Sequence, residues 1–316
     1  MRRSDAARGN ATQRLRQKVR SALALAIVVF SVGPASAGAR PVVRFVDVTA
    51  GPARGGPAGQ GVPIAIFGTG FGATRAGSTV TIGGRPVGRY LAWGVRATNP
   101  ALRMIVVQPG PGVRGGRIVV RVRGRASRQV HRFAPTGGRV VWVAPGGSDT
   151  APCSAARPCL TIQHVVDAVL RPGDALLVRG GAVADDEVWV RAGKGGTPGR
   201  PIVIRNAPGE RPTFTRTDRP VILEGSHVAF SGFEFGPGKG VVVGADTGAR
   251  DIRVVDSSFS GTLGFDAVGT HGDDLLIAGN VCAASGSSVG MSFSEWTARS
   301  IWRASSASSI SLVNRP

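Results

Sequence analysis

Two adjacent carboxylates, Asp273 and Asp274, are the first residues whose type and spacing suggest chemistry. Hydrolytic sites hold two carboxylates roughly 5 to 10 Å apart. Neighbouring residues on a strand point to opposite faces, so the two carboxylates would act together only at a turn. His271 lies beside them and is more typical of a turn residue than of a general base. The pair is therefore only a weak indication of hydrolysis.

Cys153 and Cys159 lie in a loop bounded by prolines. In an oxidising compartment such a spacing predicts a small disulfide-closed loop. A metal site is the alternative, with His164 as a third ligand, but a structural zinc site needs four ligands. Cys282 is left over, either as a small apolar residue in the interior or as the partner of a residue outside this sequence.

The formal net charge is +20, carried almost entirely by arginine, since the chain has only three lysines. Residues 1–37 contribute +6, which leaves +14 for the remaining chain. This balance favours acidic partners such as polyuronates or a polyanionic envelope. Arginine used simply for solubility is the competing interpretation. No Lys/Arg block interleaves with aromatic residues, so we expect no nucleic-acid partner.

The N-terminus has the pattern of an export signal. A basic stretch ends at Arg20, an apolar run covers residues 22–32, and an A-x-A pattern ends at Ala37. The apolar run is short for a transmembrane helix, although an uncleaved anchor is the alternative. We expect a secreted, cell-surface or periplasmic protein with no membrane span after signal cleavage.

Residues 41–135 contain several short apolar strands separated by Gly-rich turns, which predicts a β-sandwich. The segments IAIFGTGFG (64–72) and VTIGG (80–84) and the closing VHRF (130–133) resemble immunoglobulin-like TIG (IPT) modules. In that family the module usually serves as a spacer or a binding surface, so the resemblance supplies no catalytic residue.

From residue 140 the pattern changes. Apolar residues at helical spacing over 160–170, with Thr161 as N-cap, predict a short helix. An apolar repeat follows, in which Val228, Phe230 and Phe235 recur after steps of 24 and 23 residues. The matching residues are Ile252, Val254, Phe259, Leu275, Ile277 and Cys282. A period of this size predicts a solenoid, because each coil buries its apolar side only against the next coil.

The segments VAPGGSD (143–149), PCLTIQ (158–163), PGDALLV (172–178) and GTPGRPIVI (196–204) resemble the first coils of pectate-lyase-like right-handed parallel β-helices. Family members that cleave acidic polysaccharides do so by β-elimination, with a cation, usually Ca²⁺, on the uronate carboxylate and a Lys or Arg base. The resemblance implies Lys239 and Arg253 as candidate bases. The candidate calcium ligands are Glu234, Asp256, Asp266, Asp273 and Asp274. Solvated turn residues are the competing interpretation, because no acidic cluster recurs in register.

After Gly290 the coil period disappears, and Ser and Ala dominate residues 304–311. Fewer coils precede this point than is usual in the family. We expect a truncated or shifted reading frame near residue 290. An amphipathic end cap is the alternative.

The sequence therefore predicts an all-β protein with a signal peptide at 1–37, an immunoglobulin-like sandwich at 41–135, a truncated right-handed parallel β-helix with a short capping helix at 140–290, and an aberrant or disordered tail at 291–316. The expected function is that of an exported, carbohydrate-associated β-helix protein that is glycan-binding or surface-associated, without confirmed catalysis, and whose partner is an acidic polysaccharide or cell-envelope glycan. A calcium-dependent polysaccharide lyase is the alternative. A structural surface protein without glycan affinity is the third hypothesis.

Overall fold

The computed structural model describes residues 40–215, 220–236, 241–243, 249–261, 268–270 and 273–284. The expected signal peptide and tail lie outside these residues. Strands dominate the described part, which confirms the prediction of a nearly all-β protein with one short helix. No helix within the described ranges is long and apolar enough to cross a membrane.

Strands β1–β10 form two sheets, which we call the sandwich module (42–136). The first sheet contains β1 (Val42–Val46), β3 (Ile64–Thr69), β6 (Arg89–Arg96) and β7 (Arg103–Gln108), in the order β1-β3-β7-β6. The second contains β2 (Ala50–Pro52), β4 (Thr79–Ile82), β5 (Arg85–Pro86), β8 (Gly116–Val122), β9 (Arg125–Ala126) and β10 (His131–Thr136). Its order is β2-β10-β8-β4-β5, with β9 beside β8. A 3-10 turn spans Pro57–Gly59.

The alternation of side chains along these strands builds the core between the two sheets. Ile64 and Ile66 of β3 and Ile118 and Val120 of β8 are buried in one apolar cluster. Phe67, also on β3 but facing the other way, belongs to a second buried cluster. The first sheet is therefore buried on both of its faces, whereas the second sheet is buried on one.

Strands β11–β25 form three parallel sheets, which we call the parallel module (140–284). The first sheet contains β11 (Val140–Val143), β12 (Ala175–Val178), β15 (Ile202–Asn206), β18 (Val228–Ser231), β21 (Arg250–Val255) and β24 (Asp273–Ala278). The second contains β13 (Gly181–Ala182), β16 (Pro212–Phe214), β19 (Glu234–Phe235), β22 (Ser258–Gly261) and β25 (Val281–Ala284). The third contains β14 (Val188–Val190), β17 (Val221–Leu223), β20 (Val241–Val243) and β23 (Val268–Thr270).

The register between these strands confirms the repeat predicted from the sequence. Val228 pairs with Ile252, which pairs with Leu275, and Phe235 pairs with Phe259 in the second sheet. Ile202 pairs with Val228 one step earlier. Phe235 stacks on Phe259 with 4.7 Å between ring centroids, so the repeat positions bury one another's side chains.

Bends between the first and second parallel sheets fall at Gly232, Asp256 and Gly279, which occupy equivalent places in successive repeats. All three have a left-handed backbone, with φ of 83°, 51° and 69°. Each follows a strand of the first sheet and precedes one of the second. A Cβ at Gly232 would collide with the side chain of Asn206, so glycine is required there for space as well as for conformation.

The predicted helix is present as α1, an α-helical turn over Ile162–His164 that continues as a wider π-helical segment over Val165–Val169. Thr161 is its N-cap, because its side chain accepts a hydrogen bond from the His164 N–H. Ile162, Val165 and Val166 are buried in the same cluster as the strands of the parallel module.

The two modules pack through a continuous apolar interface. On the sandwich side, Phe45 and Phe67 stack with 4.7 Å between ring centroids. They share a buried cluster with Val255 and Ala278 of the parallel module. Since the first parallel sheet also faces its own interior core, it is buried on both faces where the sandwich covers it.

Candidate functional site

The structure describes part of the carboxylate set that the sequence analysis proposed as calcium ligands. Glu234 lies on β19 of the second parallel sheet, Asp256 at the bend after β21, and Asp274 on β24 of the first sheet. Asp266 and the side chain of Asp273 lie outside the described residues, as does the candidate base Lys239. The structure does not bring Glu234, Asp256 and Asp274 into one cluster of possible metal ligands.

Asp256 is engaged in the contact between the modules. Its carboxylate accepts a hydrogen bond of 2.9 Å from the Thr98 N–H of the sandwich module and lies 3.6 Å from Nη2 of Arg211. Arg211 also donates to the Thr98 hydroxyl at 2.9 Å. Burial raises the pKa of Asp256, and Arg211 opposes this shift. The carboxylate therefore anchors the sandwich module to the parallel module.

Glu234 and Asp274 have different surroundings. The Thr213 hydroxyl donates to the Glu234 carboxylate at 3.4 Å, a contact between neighbouring strands of one sheet. Asp274 is exposed and has a left-handed backbone, with φ of 57°. Within the described ranges, neither belongs to a group of carboxylate, histidine or cysteine side chains close enough to share a metal ion.

The alternative metal site at the cysteines has potential ligands close together, but one of them is not free to bind a metal ion. Asp149, Cys159 and His164 are the group of potential ligands that lies close together within the described ranges. Cys159, however, forms the predicted disulfide with Cys153, so its sulfur is not a thiolate ligand. Hydrogen bonds from Thr161 and Leu160 outweigh the effect of burial and lower the pKa of Asp149. Asp149 thus fixes the start of α1.

Arg253, the other candidate base, lies on β21 between Ile252 and Val254, which face the core. Its side chain points the other way and lines a cleft of about 510 Å³ between the modules. His131 of the sandwich module lines the same cleft. Burial lowers the pKa of Arg253, while Asp251, Asp47 and Asp274 oppose that shift.

The distribution of charge separates the two modules. Residues 41–135 contain fourteen arginines, no lysine and one acidic residue, Asp47, for a net charge of +13. Residues 140–316 contain sixteen basic and seventeen acidic residues, for a net charge of −1. Asp47 is buried, with 1% of its side chain exposed, and pairs with Arg205. The surface of the sandwich module therefore carries no carboxylate that would neutralise its arginines.

Three of these arginines lie on the second sandwich sheet, on the face directed away from the sandwich core. Arg117 and Arg132 are directly opposite one another on β8 and β10. Arg121 is two positions beyond Val119 on the same face of β8, across from Thr79. Arg121 and Arg132 are exposed. We call Arg117, Arg121 and Arg132 the arginine face.

The arginine face was not among the site residues predicted from the sequence. The sequence nevertheless contains a signal for a basic surface, because a count of charge by segment distinguishes residues 41–135 from the rest of the chain. Which of the fourteen arginines share a face depends on strand pairing, which the sequence pattern left undefined.

Comparison with known proteins bears on the sandwich module. Residues 48–132 match the family model of the IPT/TIG domain. No curated protein matches the sequence. Among solved structures, a rhamnogalacturonan lyase is similar at 18% identity with a TM-score of 0.35, over 46% of this chain and 41% of that one. The chain thus spans less than half of that structure. The sandwich module contains an IPT/TIG domain, as its resemblance to these modules implied.

Proposed function

We propose that this is an exported, carbohydrate-associated protein that binds an acidic polysaccharide through its sandwich module and does not cleave it. The observation that carries the proposal is the charge asymmetry: fourteen arginines and one buried acid in residues 41–135, against a balanced remainder. Arginine used only for solubility would raise the basic content of both parts. The excess is instead confined to one module.

The chemistry of arginine favours carboxylate or sulfate groups repeated along a chain. A guanidinium presents a planar fork of donors that matches a carboxylate, and it stays charged at all physiological pH values. A surface field of one sign raises the local concentration of polyanions and speeds their association. The arginine face places the exposed guanidinium groups of Arg121 and Arg132 on one side of a sheet, which suits an extended polymer. Nη2 of Arg117, between them, donates to the Arg128 carbonyl.

For the parallel module, we infer a right-handed parallel β-helix over residues 140–290 that acts as a rigid support. Three facts support this inference: three parallel sheets, strands that follow one another from sheet to sheet in rotation, and repeat positions that stay in register. The same proposal includes a β-helix that is incomplete and a tail at 291–316 that does not continue its coils.

Binding without catalysis is supported by the environments of the candidate carboxylates. Asp256 accepts a hydrogen bond from Thr98 and lies beside Arg211, and Glu234 accepts one from the Thr213 hydroxyl on the neighbouring strand. Export is supported by the leader pattern at 1–37 and by the disulfide, which forms in oxidising compartments. In such a compartment a glycan is a more accessible polyanion than nucleic acid.

The test is binding to sodium polygalacturonate, measured by calorimetry, with neutral dextran and duplex DNA as comparison polymers. We expect binding to polygalacturonate that weakens steeply with added salt and no binding to dextran. The double variant Arg121→Gln/Arg132→Gln should bind roughly fivefold more weakly. The matched control is Arg157→Gln/Arg171→Gln, two exposed arginines of the parallel module with the same loss of charge.

Two results would count against the proposal. Equal weakening by both double variants would mean that net charge alone, rather than the arginine face, attracts the polymer. Release of unsaturated products from polygalacturonate, detected by ultraviolet absorbance and abolished by a chelator, would support the calcium-dependent lyase instead. If the protein binds no glycan, the third hypothesis, a structural surface protein without glycan affinity, would be favoured.

A further inference from the structure

The cleft between the two modules combines cationic and apolar groups from both. Its volume of about 510 Å³ lies within the range of small-molecule sites. The sandwich module contributes Val130, His131 and Arg132, and the parallel module contributes Arg253. No acidic side chain of the described residues lines it.

Arg253 carries a buried nitrogen in the wall of the cleft. Its Nε has no hydrogen-bond acceptor among the described residues. Three carboxylates act on it through space: Asp47, which pairs with Arg205, Asp251, which pairs with His227, and the exposed Asp274. A buried donor without an acceptor costs free energy, and the cost is larger for a charged group. An anion in the cleft would lie beside the part of Arg253 that lines it and would add a partner for the charge.

The other lining groups indicate what kind of anion fits. Val130 is 64% exposed and offers an apolar surface at the edge of the cleft. Val43 C=O lies 3.2 Å from Nε2 of His131, which fixes the imidazole ring. A sugar ring has an apolar face and polar edges, so a carboxylated sugar matches this combination better than an inorganic ion does.

We propose that this cleft is a subsite for one acidic sugar residue, whose carboxylate is bound by the guanidinium of Arg253 while its ring lies against Val130 and His131. This inference rests on the proposed function, because it assigns one sugar of the same polymer. Arg132 belongs both to the lining of the cleft and to the arginine face, so the two are continuous. A polymer lying along the arginine face would place one residue in the cleft.

The probe is monomeric galacturonate, with galactose as its neutral counterpart. The chain has only four histidines, so their ring carbon-bound proton signals can be followed individually by NMR. The signal of His131 is assigned by its loss in His131→Gln. We expect galacturonate to shift the His131 signal while those of His164 and His227 stay in place. Galactose should shift none of them.

Variants on one strand then test the carboxylate contact. Arg253→Gln should weaken galacturonate binding about tenfold or more. Arg250→Gln, which removes the same charge from an exposed position of the same strand, should leave binding unchanged. If Arg253→Gln does not fold, Arg253→Lys, which keeps the charge but not the fork, should still weaken binding, and the wild-type titration stands independently.

The outcomes separate this inference from the proposed function. Salt-sensitive binding of polygalacturonate with an unmoved His131 signal would overturn the subsite and leave the arginine face intact. A His131 shift without polymer binding would support the subsite and overturn the proposed function. An equal shift by galactose would overturn the role of Arg253 as a carboxylate partner.

Discussion

The Oδ2 atom of Asp47 lies 2.6 Å from Nη1 of Arg205, in an ion pair between the sandwich and parallel modules that is almost wholly buried. The second carboxylate oxygen accepts hydrogen bonds from the Val48 and Ala65 N–H groups, at 2.8 and 2.7 Å. Arg205 also donates to the Pro63 carbonyl at 2.8 Å. Burial raises the pKa of Asp47, and Arg205 opposes that shift. The pair therefore fixes how one module is seated on the other.

Breaking this pair on one side should be strongly destabilising. Asp47→Ala leaves the Arg205 guanidinium buried and uncompensated, and we expect a loss of about 3 to 5 kcal/mol in the free energy of unfolding. Arg205→Met should cost a similar amount, and the double variant less than the sum. Urea denaturation measures all three.

Asp274→Asn is the control for that series, because it removes one exposed carboxylate. It should change stability by no more than about 0.5 kcal/mol. A loss below about 1 kcal/mol for Asp47→Ala, or strict additivity in the double variant, would show that the pair does not couple the modules.

The disulfide should be detectable by counting thiols. The unfolded, unreduced chain should react with one equivalent of a thiol reagent, from Cys282, and the reduced chain with three. Cys153→Ser/Cys159→Ser should lower the free energy of unfolding by about 2 kcal/mol, because the link restricts the unfolded chain. Three reactive thiols before reduction would contradict the pairing.

His131 should make stability depend on pH in a defined direction. Burial lowers its pKa below 6.5, with Arg253 adding to this shift and the hydrogen bond to Val43 opposing it. The unfolded chain therefore takes up a proton more readily. The contribution of His131 to stability is complete above about pH 6.5 and is lost as the pH falls toward its folded pKa.

Urea denaturation of wild type and His131→Gln from about pH 7.5 down to about pH 5 tests this effect. Wild type should lose stability relative to the variant as the pH falls. The raised pKa of Asp256 acts in the opposite direction, with stability lost as the pH rises through the folded pKa. That effect is common to both proteins, so it cancels in the difference. A difference independent of pH would contradict the prediction.

The stacked aromatic residues of the parallel module should dominate its stability. Phe235 is buried between Phe214 and Phe259, with ring centroids 5.1 and 4.7 Å away. Phe235→Ala removes this packing and leaves a cavity, so we expect a loss of about 3 to 5 kcal/mol. Val95→Ala, at an exposed position, should cost no more than about 0.5 kcal/mol. Similar losses for the two variants would argue against a stacked interior.

Local patterns in the sequence were sufficient for much of this architecture. Alternation and glycine turns predicted most sandwich strands, but β6 was missed because its segment, RYLAWGVR, mixes polar and apolar residues without strict alternation. The repeat predicted the first two parallel sheets through its paired apolar positions. The strands of the third sheet are only three residues long, so they carry too little periodicity to be identified.

The candidate site shows the same division. Arg253 was named in the sequence analysis as a candidate base, from its residue type and the family resemblance. Its position in a cleft opposite His131 depends on how the sandwich is seated, and that contact joins residues more than a hundred positions apart. Likewise, no pattern in the sequence around Asp256 indicates that its carboxylate binds Thr98, because the two residues are 158 positions apart.

The sequence by itself determined the strand-rich composition, the register of the repeat, the disulfide and the confinement of positive charge to residues 41–135, because each of these depends on residue types and their local spacing. Tertiary structure alone decided which arginines share a face, which carboxylates are taken up by contacts between modules, and where, among the described residues, a buried arginine nitrogen lacks an acceptor. Those outcomes depend on packing between distant segments, where burial sets the cost of every unpartnered polar group.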